Sequence, residues 1–567
     1  MLKQVQHDGR VLAVAACLLL AGCATVPRTA SAPVEVQILA INDFHGNLEA
    51  SAAPVEVAET SGGAKHQREV GGAAQLATTL NALRIFTAPN TITVAAGDLI
   101  GASPLTSAYF LDEPTIDAMN LIKLELASVG NHEFDKGSGE LLRLQNGGCA
   151  KHTTRVPCRL APFKGARFQY LGANVLKADG TSLFPATAIR QVGPVKIGFI
   201  GMTLKETNIL VTPAGVAGLH FADEAATANA LVPKMTAEGA DIVVLLIHQG
   251  GKVPETYVQD GCAGLSGAIL PILDKLDPAI RIVVSGHTHH AYACEVGEGA
   301  KRRLLTSAGK YGYLVTDIRL SIDRASHALL GWRAKNATVD NSQGANRDVA
   351  ALVARYKAAA APAAARVVGH LSSPAMKEEG DGESAAARLI ADAQLGATRA
   401  AEHGGAQISF INATGVRTSL VPGPGGAVTY GQIFALQPFG NNLVVKTLTG
   451  SQLKALLEQQ FETTADGTGK VKSLLVPSAN LRFEYRLAPP QGQRIIRILL
   501  DGKPVDPAAL YRVVVNNFLA SGGDGFSVMN EGVDPFDAGL DLDALEAWLA
   551  TNPAVASDQR TSQIVPQ

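Results

Sequence analysis

Short apolar runs alternate with segments of helical periodicity between residues 34 and 341. Strands that alternate with helices are typical of a layered α/β domain, so this part of the chain is predicted to fold as one such domain. The predicted strands are Val36–Ile41, Thr91–Ala96, Leu126–Val129, Val195–Ile200, Ile242–Ile247 and Ile280–Val284.

Polar residues follow five of these six runs at the point where each run ends. In α/β sheets, ligands bind beyond the carboxyl ends of the strands, so clusters that lie far apart in sequence can converge there. The pattern therefore predicts an active site at this edge of the sheets. The clusters are Asn42-Asp43-Phe44-His45, Gly97-Asp98, Gly130-Asn131-His132-Glu133, His248-Gln249-Gly250 and Gly286-His287-Thr288-His289.

An Ala-rich stretch from Asp348 to Arg366, interrupted by Pro362, predicts a helical connector, and we place the linker at residues 342–366. Beyond it, amphipathic segments and β-like runs predict a second α/β domain over residues 367–550, followed by a tail at 551–567. The helical segments are Ala385–Ala400 and Gly450–Phe461, and the β-like runs are Leu443–Leu448, Leu481–Tyr485, Arg494–Leu500 and Tyr511–Val515.

The N-terminus has the features of an export signal. Basic residues precede the apolar run Val11–Leu20, which is too short to span a bilayer, so residues 1–22 are predicted to be a signal peptide. The run ends in a Leu-Ala-Gly-Cys motif that resembles a bacterial lipobox, in which Cys23 is acylated and residues 23–33 form an anchor linker. Ala24, in place of Asp, favours an outer-membrane anchor facing the periplasm. The alternative is an ordinary signal peptide with Cys23 incidental.

Four cysteines remain after the signal and the lipidation site are set aside, namely Cys149, Cys158, Cys262 and Cys294. An even number in an oxidising compartment indicates two disulfides. Three connectivities are possible, and we favour Cys149–Cys158 with Cys262–Cys294 because each pair is close in sequence. Free buried thiols are the alternative.

Length and charge narrow the class of protein. A chain of 567 residues exceeds the size of one typical hydrophobic core, so at least two domains are expected. The 49 basic and 51 acidic residues give a net charge of -2, which argues against a protein that coats a nucleic acid polymer. We therefore expect a small ligand. No further apolar run is long enough to cross a membrane, so membrane attachment is expected only through the lipid, and a monomer is expected.

The residue types in the clusters suit a pair of divalent metal ions, which needs a bridging carboxylate with imidazoles and oxygen ligands on each side. Alternate residues of a strand point the same way, so Asp43 and His45 can hold one ion, with His289 returning to it. Asp98 can bridge both ions. The second ion would take Asn131, His248 and His287. Imidazole ligands favour Zn²⁺ or Mn²⁺ over Ca²⁺.

The motifs D-x-H, G-D, G-N-H-E, a lone His after a strand and G-H-T-H, in that order, resemble the calcineurin-like metallophosphoesterase superfamily. The resemblance implies a four-layer α/β/β/α domain that hydrolyses phosphate esters with two metal ions. It also implies that His132 faces the substrate and is held by Asp135, so that its imidazolium can stabilise developing charge. Glu133 is interpreted as structural.

The C-terminal region is similar to the 5′-nucleotidase family. The run Asn412–Arg417 resembles that family's N-x-G-G-[IV]-R loop, although Thr414 replaces the first paired glycine. Arg417 can bind a phosphate through two parallel hydrogen bonds. Arg388 matches a second family arginine, and the alternative for it is a solvated position on a helix face.

Two further motifs resemble the family's nucleoside pocket, namely Gln437-Pro438-Phe439-Gly440-Asn441 and the run Asn517–Phe526. The resemblance implies that Phe439 and Phe518 sandwich a base, that Asp524 takes the ribose hydroxyls, and that Asn441 also contacts the substrate. It further implies that the C-terminal domain rotates about the connector to bring nucleotide to the metal ions.

The predicted function is therefore hydrolysis of nucleoside 5′-monophosphates in the cell envelope, by in-line attack on a terminal phosphate. UDP-sugars, NAD and nucleoside polyphosphates are further candidate substrates. The first alternative is a 2′,3′-cyclic-nucleotide phosphodiesterase with 3′-nucleotidase activity, whose relatives often stack the base with tyrosines. The second is a non-catalytic binding lipoprotein.

Overall fold

The structure is a computed structural model, and it describes residues 32–51, 53–85, 87, 89–153, 155–377, 383–464, 468–552 and 562–564. The predicted signal peptide and the predicted lipidation site Cys23 lie outside these residues. No helix in the described part of the chain is both long and apolar enough to cross a membrane.

Two six-stranded sheets form the centre of the N-terminal domain. All six strands predicted from the apolar runs are present, and their parallel pairings bring the polar clusters to one edge. The first sheet has the order Leu329–Thr338, Leu314–Ile322, Val34–Ile41, Thr91–Ala96, Leu126–Ser128, Gln169–Leu171. The second has the order Ala291–Val296, Arg303–Ala308, Ile280–Ser285, Ile242–His248, Val195–Thr203, Thr187–Val192.

Successive side chains of a strand point to opposite faces of the sheet, and both faces of each sheet are buried. Ile38, Val94, Phe199 and Val244 belong to one fully buried cluster between the sheets, while intervening residues face helices on the outer sides. The outer helices on the first sheet are Ala73–Arg84, Glu113–Leu121 and Ser138–Asn146, and those on the second are Glu224–Ala237 and Ile269–Lys275. The predicted four-layer α/β/β/α architecture is confirmed.

Smaller elements complete this domain. They are the three-stranded sheet Val258–Asp260, Val55–Thr60 and Lys65–Arg68, the pair Leu219–Phe221 with Val175–Lys177, and the short helices Leu105–Ala108 and Thr207–Leu210. Disulfides join Cys149 to Cys158 and Cys262 to Cys294, which is the pairing that sequence proximity predicts.

The connector is a single helix, Arg347–Ala364, that begins at Asn346. The Asn346 side chain accepts hydrogen bonds from the backbone N–H groups of Asp348 and Val349, which satisfies two of the free donors of the first turn. Contrary to the expectation that Pro362 interrupts the helix, the helix continues through it, since Pro362 lies in the last turn and few hydrogen bonds are lost.

The C-terminal domain is built on a five-stranded mixed sheet, and its order is Leu475–Pro477, Ile408–Asn412, Leu510–Asn516, Asn442–Thr449, Val533–Leu540. Its helices are Ala385–Thr398, Tyr430–Leu436, Gly450–Glu458, Asn517–Ala520 and Asp541–Thr551. The remaining strands are Val367–His370 with Ala427–Thr429, Phe461–Thr463 with Gly469–Val471, and the sheet Lys503–Pro504, Ile495–Leu500, Leu481–Tyr485, Ser562–Ile564.

The predicted tail is not wholly outside the domain. Ser562–Ile564 pairs in parallel with Leu481–Tyr485, so this part of the tail extends a sheet. The segment is short and mostly polar, so it carries no signal strong enough to predict a strand.

The helix Asp541–Thr551 begins with a buried carboxyl whose titration should be visible in stability. Burial raises the pKa of Asp541 to about 7. A carboxyl whose pKa is raised by folding does not lower the free energy of unfolding at a pH below its unfolded-state pKa. As the pH rises the carboxyl lowers this free energy, and the loss is complete above the folded-state pKa. We therefore expect Asp541→Asn to raise the unfolding temperature at pH 8 and to change it little at pH 4. The gain in the free energy of unfolding at pH 8 has an upper limit of about 4 kcal/mol. Thermal unfolding at both pH values measures this. Asp543→Asn, an exposed carboxyl in the same turn, is the control, and an equal shift at both pH values would contradict the prediction.

Candidate active site

Two clusters of metal-type ligands lie at the edge where the strands end. Asp43, His45 and His289 place their ligand atoms within 4.8 Å of one another, and Asp98, His248 and His287 do the same. His45 Nε2 is 3.2 Å from His289 Nε2 and 3.6 Å from Asp98 Oδ2, while His248 Nε2 is 3.0 Å from the same Asp98 oxygen. Asp98 thus lies between the clusters, as a carboxylate shared by two ions would. The structure brings together the six charged or imidazole ligands predicted from sequence.

Hydrogen bonds on the far side of two imidazoles aim their other nitrogens into the site. His45 Nδ1 lies 2.9 Å from the carbonyl oxygen of Gly101, and His248 Nδ1 lies 2.8 Å from that of Ala96. A carbonyl accepts from Nδ1–H, which leaves Nε2 with a free lone pair for a metal ion. This arrangement is the one that metal-ligating histidines show.

Buried polar atoms at this site fit a metal ion as their partner. Within the described residues, His248 Nε2 and Asn131 Oδ1 are buried and have no hydrogen bond. An unsatisfied buried acceptor costs about 1–3 kcal/mol, and coordination would remove this cost.

The backbone is strained at five of the predicted ligands. Asp43, His45, Asp98, His287 and His289 have φ between 47° and 72°, in the left-handed region that non-glycine residues rarely adopt. Each such residue costs about 1–3 kcal/mol and persists where the surrounding fold imposes it, typically at functional sites. At this site hydrogen bonds help to hold the backbone in the left-handed region. For example, the backbone N–H of His287 donates to Asp43 Oδ2 at 2.9 Å.

Two glycines before the ligands are required by close packing. A Cβ on Gly97 would lie 2.5 Å from His248 Nδ1, and a Cβ on Gly130 would lie 2.1 Å from Asp98 Oδ1. Neither position has room for a side chain, which gives the G-D and G-N pairs a steric reason.

The carboxylates make the site attract positive charge. Burial lowers the pKa of His248, but Asp98 and Asp43 outweigh this and raise it to about 10. Burial lowers the pKa of His287 to about 3. The pKa of Asp98 stays well below its usual value despite burial, because His248 is adjacent. A divalent cation would take the place of the proton that the two carboxylates draw to His248.

His132 and Asp135 form the predicted pair beside these clusters. His132 Nδ1 is 2.8 Å from Asp135 Oδ2. Burial lowers the pKa of His132, but Asp135 and Asp98 outweigh it and hold the pKa above its ordinary value. The imidazolium is therefore favoured, and since no described residue hydrogen-bonds to its Nε2, this nitrogen can meet a substrate in the cavity that His132 lines.

Glu133 is buried and faces inward, which its spacing did not indicate. Its carboxylate accepts from the backbone N–H groups of Asp98, Leu99 and Gly130 at 2.6–2.9 Å. Burial, with Asp98 nearby, raises its pKa to about 8. Glu133 thus ties the loop of Asp98 to that of Asn131, consistent with its interpretation as structural.

The site opens into a cavity of about 390 Å³ between the two domains. On one side, the walls include Asp98, Asn131, His132 and Asp135 of the N-terminal domain. On the other side, they include Asn412, Thr414, Arg417, Phe439, Asn441, Phe518 and Asp524 of the C-terminal domain. The ring of Phe439 stacks on His132, with centroids 6.2 Å apart and an interplanar angle of 20°. The two predicted half-sites therefore share one cavity.

The C-terminal wall is organised around Asp524. One of its oxygens, Oδ2, accepts from Asn412 Nδ2 at 2.7 Å and from the Thr414 hydroxyl at 2.6 Å. No described residue hydrogen-bonds to the other oxygen, Oδ1, which can accept from a ligand. The Phe518 ring lies against Gly523, where a Cβ would come within 2.5 Å of it. Thr414, which departs from the paired-glycine pattern, thus orients the carboxylate.

The two predicted arginines are placed differently. Arg417 lines the cavity, its guanidinium lies 5.5 Å from the Phe439 ring, and its buried Nη2 has no hydrogen-bond partner within the described residues. Arg388 is buried in the helix Ala385–Thr398, forms an ion pair with Glu383 at 2.9 Å, and is not among the residues that line the cavity. The sequence match did not reveal this inward position, which is also not the solvated one considered as the alternative.

Sequence reasoning missed several residues of the wall, and one group of them lies across the domain boundary. Leu210, Val211 and Thr212 of the N-terminal domain line the cavity, and the adjacent helix Thr207–Leu210 contacts the segment Gly523–Gly525. These residues carry no metal-ligand or phosphate-binding chemistry, so only their position across the domain boundary identifies them.

Residues 36–291 match the calcineurin-like phosphoesterase family, and residues 364–531 match the 5′-nucleotidase C-terminal domain. The chain belongs to the 5′-nucleotidase family. The resemblance found in the sequence motifs is confirmed, and the calcineurin-like phosphoesterase fold implies divalent metal ions at the two ligand clusters.

Several relatives of this 5′-nucleotidase family member are longer than the chain itself. The chain is 27% identical to the endonuclease YhcR of Bacillus subtilis, over 86% of this chain and 37% of that protein. It is 29% identical to the cell wall protein Lmo0130 of Listeria monocytogenes, over 89% of this chain and 66% of that protein. The chain thus spans between about one third and two thirds of these relatives. The crystal structure of a 5′-nucleotidase precursor from Thermus thermophilus matches with a TM-score of 0.73 and 27% identity, covering 94% of this chain and all of that one.

Proposed function

We propose that this protein is a two-metal hydrolase that removes phosphate from nucleoside 5′-monophosphates. The observation that carries the proposal is the single cavity between the domains, which joins two metal-type ligand clusters to a pocket with two aromatic rings and a carboxylate. The Thermus structure, named a 5′-nucleotidase precursor and matched over its whole length, supports it.

Asp43, His45 and His289 would hold one ion, Asn131, His248 and His287 the other, and Asp98 both. Bound there, the ions would neutralise the phosphate oxygens and lower the pKa of the attacking water. Zn²⁺ and Mn²⁺ are the proposed metals, because imidazole nitrogens supply most of the uncharged ligands.

The chain's own residues would bind and orient the nucleotide. Phe439 and Phe518 would stack on the base, Asp524 would accept from the ribose hydroxyls, and Arg417 would donate to the phosphate. His132, held by Asp135, would donate to the oxygen on which charge develops as the ester bond breaks. Asn441 lies on the same wall as a further substrate contact. Arg388 stays a proposed substrate contact, and its ion pair with Glu383 at 2.9 Å would orient its guanidinium.

Diphosphate substrates such as UDP-sugars and NAD are also proposed. A second cavity of about 740 Å³ shares Thr288, His289, Thr414 and Arg417 with the first. It is further lined by Lys310 and Tyr311, whose side chains lie 4.8 Å apart as a cation over a ring. This space could receive the second substituent of a diphosphate, next to the metal-ligand clusters.

The proposed location is the cell envelope, with the protein anchored to the outer membrane through Cys23, facing the periplasm, as a monomer. The signal-like N-terminus and the Leu-Ala-Gly-Cys motif support export and acylation. The Listeria relative is named a cell wall protein, which supports an extracytoplasmic site.

Phosphate release by a soluble form beginning at Ala24 tests the function. The assay supplies Mn²⁺ or Zn²⁺, compares AMP, UDP-glucose and 2′,3′-cyclic AMP, and repeats each with EDTA. We expect metal-dependent turnover of AMP. A clear preference for the cyclic substrate would favour the phosphodiesterase alternative, and turnover of none would favour a binding protein.

Replacing Phe518 with alanine should separate binding from chemistry. Base stacking on an aromatic ring is worth about 1–3 kcal/mol, so we expect the KM for AMP to rise about 10-fold to 100-fold with kcat within about threefold. Steady-state kinetics measure this. Phe518→Tyr keeps a ring and should retain most of the affinity, and a fall in kcat without a rise in KM would contradict the assigned stacking role.

A further inference from the structure

The loop Cys149–Cys158 is anchored firmly to the N-terminal domain at its base. Its disulfide closes the loop, and the backbone N–H of Cys158 donates to Glu113 at 2.9 Å. Arg143, buried under the loop, forms ion pairs with Glu113 at 2.9 Å and Glu140 at 2.7 Å and donates to the carbonyl of Gly148. These contacts hold the base of the loop on its own domain.

The tip of the same loop reaches the C-terminal domain through Arg155. Its guanidinium lies 5.6 Å from the ring of Phe434, a buried residue of the helix Tyr430–Leu436. Arg155 Nη1 also donates to the carbonyl of Ala108 at 3.1 Å, and Ala108 itself packs into the C-terminal core. A guanidinium over an aromatic ring is attractive, more so when it is partly desolvated.

Arg155 is also close to the loop that carries Phe439. A Cβ built on Gly440 would lie 3.9 Å from Arg155 Nη2, so the guanidinium is in contact range of the residue that follows Phe439. The helix Tyr430–Leu436 leads directly into this loop. Arg155 therefore touches the C-terminal domain at the base of the wall that stacks on His132.

The connecting helix contacts the segment that follows the loop. Arg355 Nη2 donates to the carbonyl of Leu160 at 3.1 Å, two residues after Cys158. The loop and the segment that directly follows it thus contact three parts of the molecule, namely the N-terminal domain, the connecting helix and the C-terminal domain. The relative position of these parts decides whether the cavity is assembled.

We propose that Arg155 is a positioning residue, which holds the C-terminal domain in the arrangement that brings Phe439 and Arg417 to the metal-ligand clusters, with the Cys149–Cys158 disulfide as its support. The inference rests on the proposed nucleotidase function and on rotation of the domains about the connector. AMP would have to contact both half-sites at once. Adenosine, which lacks the phosphate, would bind mainly to the C-terminal wall. Loss of Arg155 should therefore weaken AMP turnover more than adenosine binding.

The test compares Arg155→Ala, Arg155→Lys and Lys151→Ala in the full chain. Lys151 is exposed in the same loop and serves as the control for charge and loop position. We expect Arg155→Ala to lower kcat/KM for AMP about 3-fold to 10-fold, as loss of one cation–π contact would, and to change the inhibition constant of adenosine less than twofold. Arg155→Lys keeps a cation over the ring and should recover part of the loss, while Lys151→Ala should change neither constant.

Hydrogen–deuterium exchange of the unliganded variants gives a readout that does not need activity. Exchange in the segment 430–441 should be faster in Arg155→Ala than in the control. Cys149→Ser with Cys158→Ser should reproduce both effects.

Three outcomes are decisive. Unchanged kcat/KM and unchanged exchange in Arg155→Ala would overturn the proposal. An inhibition constant of adenosine that rises as much as kcat/KM falls would also overturn it, because Arg155 would then shape the pocket and not the domain arrangement. Failure of the unmodified protein to hydrolyse AMP would instead refute the nucleotidase function, while the exchange result would still decide the role of Arg155.

Discussion

Replacing Asp98 with asparagine is expected to lower kcat for AMP by about 10³-fold or more and to reduce the bound metal below two ions per chain. One Asp98 oxygen lies 3.6 Å from His45 Nε2 and 3.0 Å from His248 Nε2, so a single carboxylate serves both clusters. An amide has no charge to neutralise two cations. Loss of metal-derived stabilisation of several kcal/mol corresponds to at least this rate effect. Steady-state kinetics and elemental analysis of the purified protein measure the two quantities.

The control for Asp98 is Asp179→Asn, which removes an exposed carboxylate from the same domain. It should leave both metal content and rate within twofold. Since asparagine is nearly isosteric and Asp98 is buried at positive φ, circular dichroism of the variant should match the unmodified protein. Full metal content with full activity in Asp98→Asn would show that the two clusters do not share this residue as a bridge.

The metal-type clusters could be predicted because their ligands occur in short sequence motifs at the ends of predicted strands. Asp43 and His45 are two residues apart at a strand end, as are His287 and His289, and parallel strands deliver such ends to one edge. The apolar runs predicted the strands for the same reason, since buried strands of a parallel sheet are continuously hydrophobic. Local pattern and global fold agree here, so sequence reasoning succeeded.

Features that depend on contacts between distant segments could not be predicted in this way. The hydroxyl of Thr414 meets Asp524 across 110 positions, and Leu210 meets the nucleoside pocket only because the domains approach. Arg388 matched a family position, but its side chain turns to Glu383 inside the domain. Side-chain direction in each case is set by tertiary packing, on which periodicity and motif spacing carry no information.

Because both domains line one cavity, mutations on its two sides should change different kinetic constants. Residues of the C-terminal wall such as Phe518 should affect binding, and residues at the metal-ligand clusters should affect chemistry. His132 lies at the junction, because it is held by Asp135 of its own domain and stacks on Phe439 of the other. It is therefore the position at which a loss of chemistry has to be separated from a loss of binding.

Replacing His132 with glutamine is expected to lower kcat for AMP about 10²-fold to 10³-fold while changing KM less than about fivefold, the pattern for a group that acts on the transition state. Asp135 and Asp98 hold the pKa of His132 above its ordinary value, so its charged form persists to higher pH than that of a free imidazole and is lost as pH rises through that pKa. Asp135→Asn should thus reduce kcat less than His132→Gln does and move the alkaline limb of the kcat profile to lower pH. Pre-steady-state and pH-dependent kinetics measure both effects.

The choice of leaving group distinguishes charge stabilisation by His132 from simple positioning. With AMP the departing ribose oxygen is strongly basic and needs a donor, whereas with p-nitrophenyl phosphate the departing phenolate is stable on its own. If His132 stabilises the departing oxygen, the loss caused by His132→Gln should shrink at least 10-fold on the activated ester, because a weaker base gains less from a proton donor. An equal loss on both substrates would assign His132 to holding Phe439 and the phosphate in place. Its stacking contact with Phe439 would then be its main contribution, and Phe439→Leu should reproduce the defect.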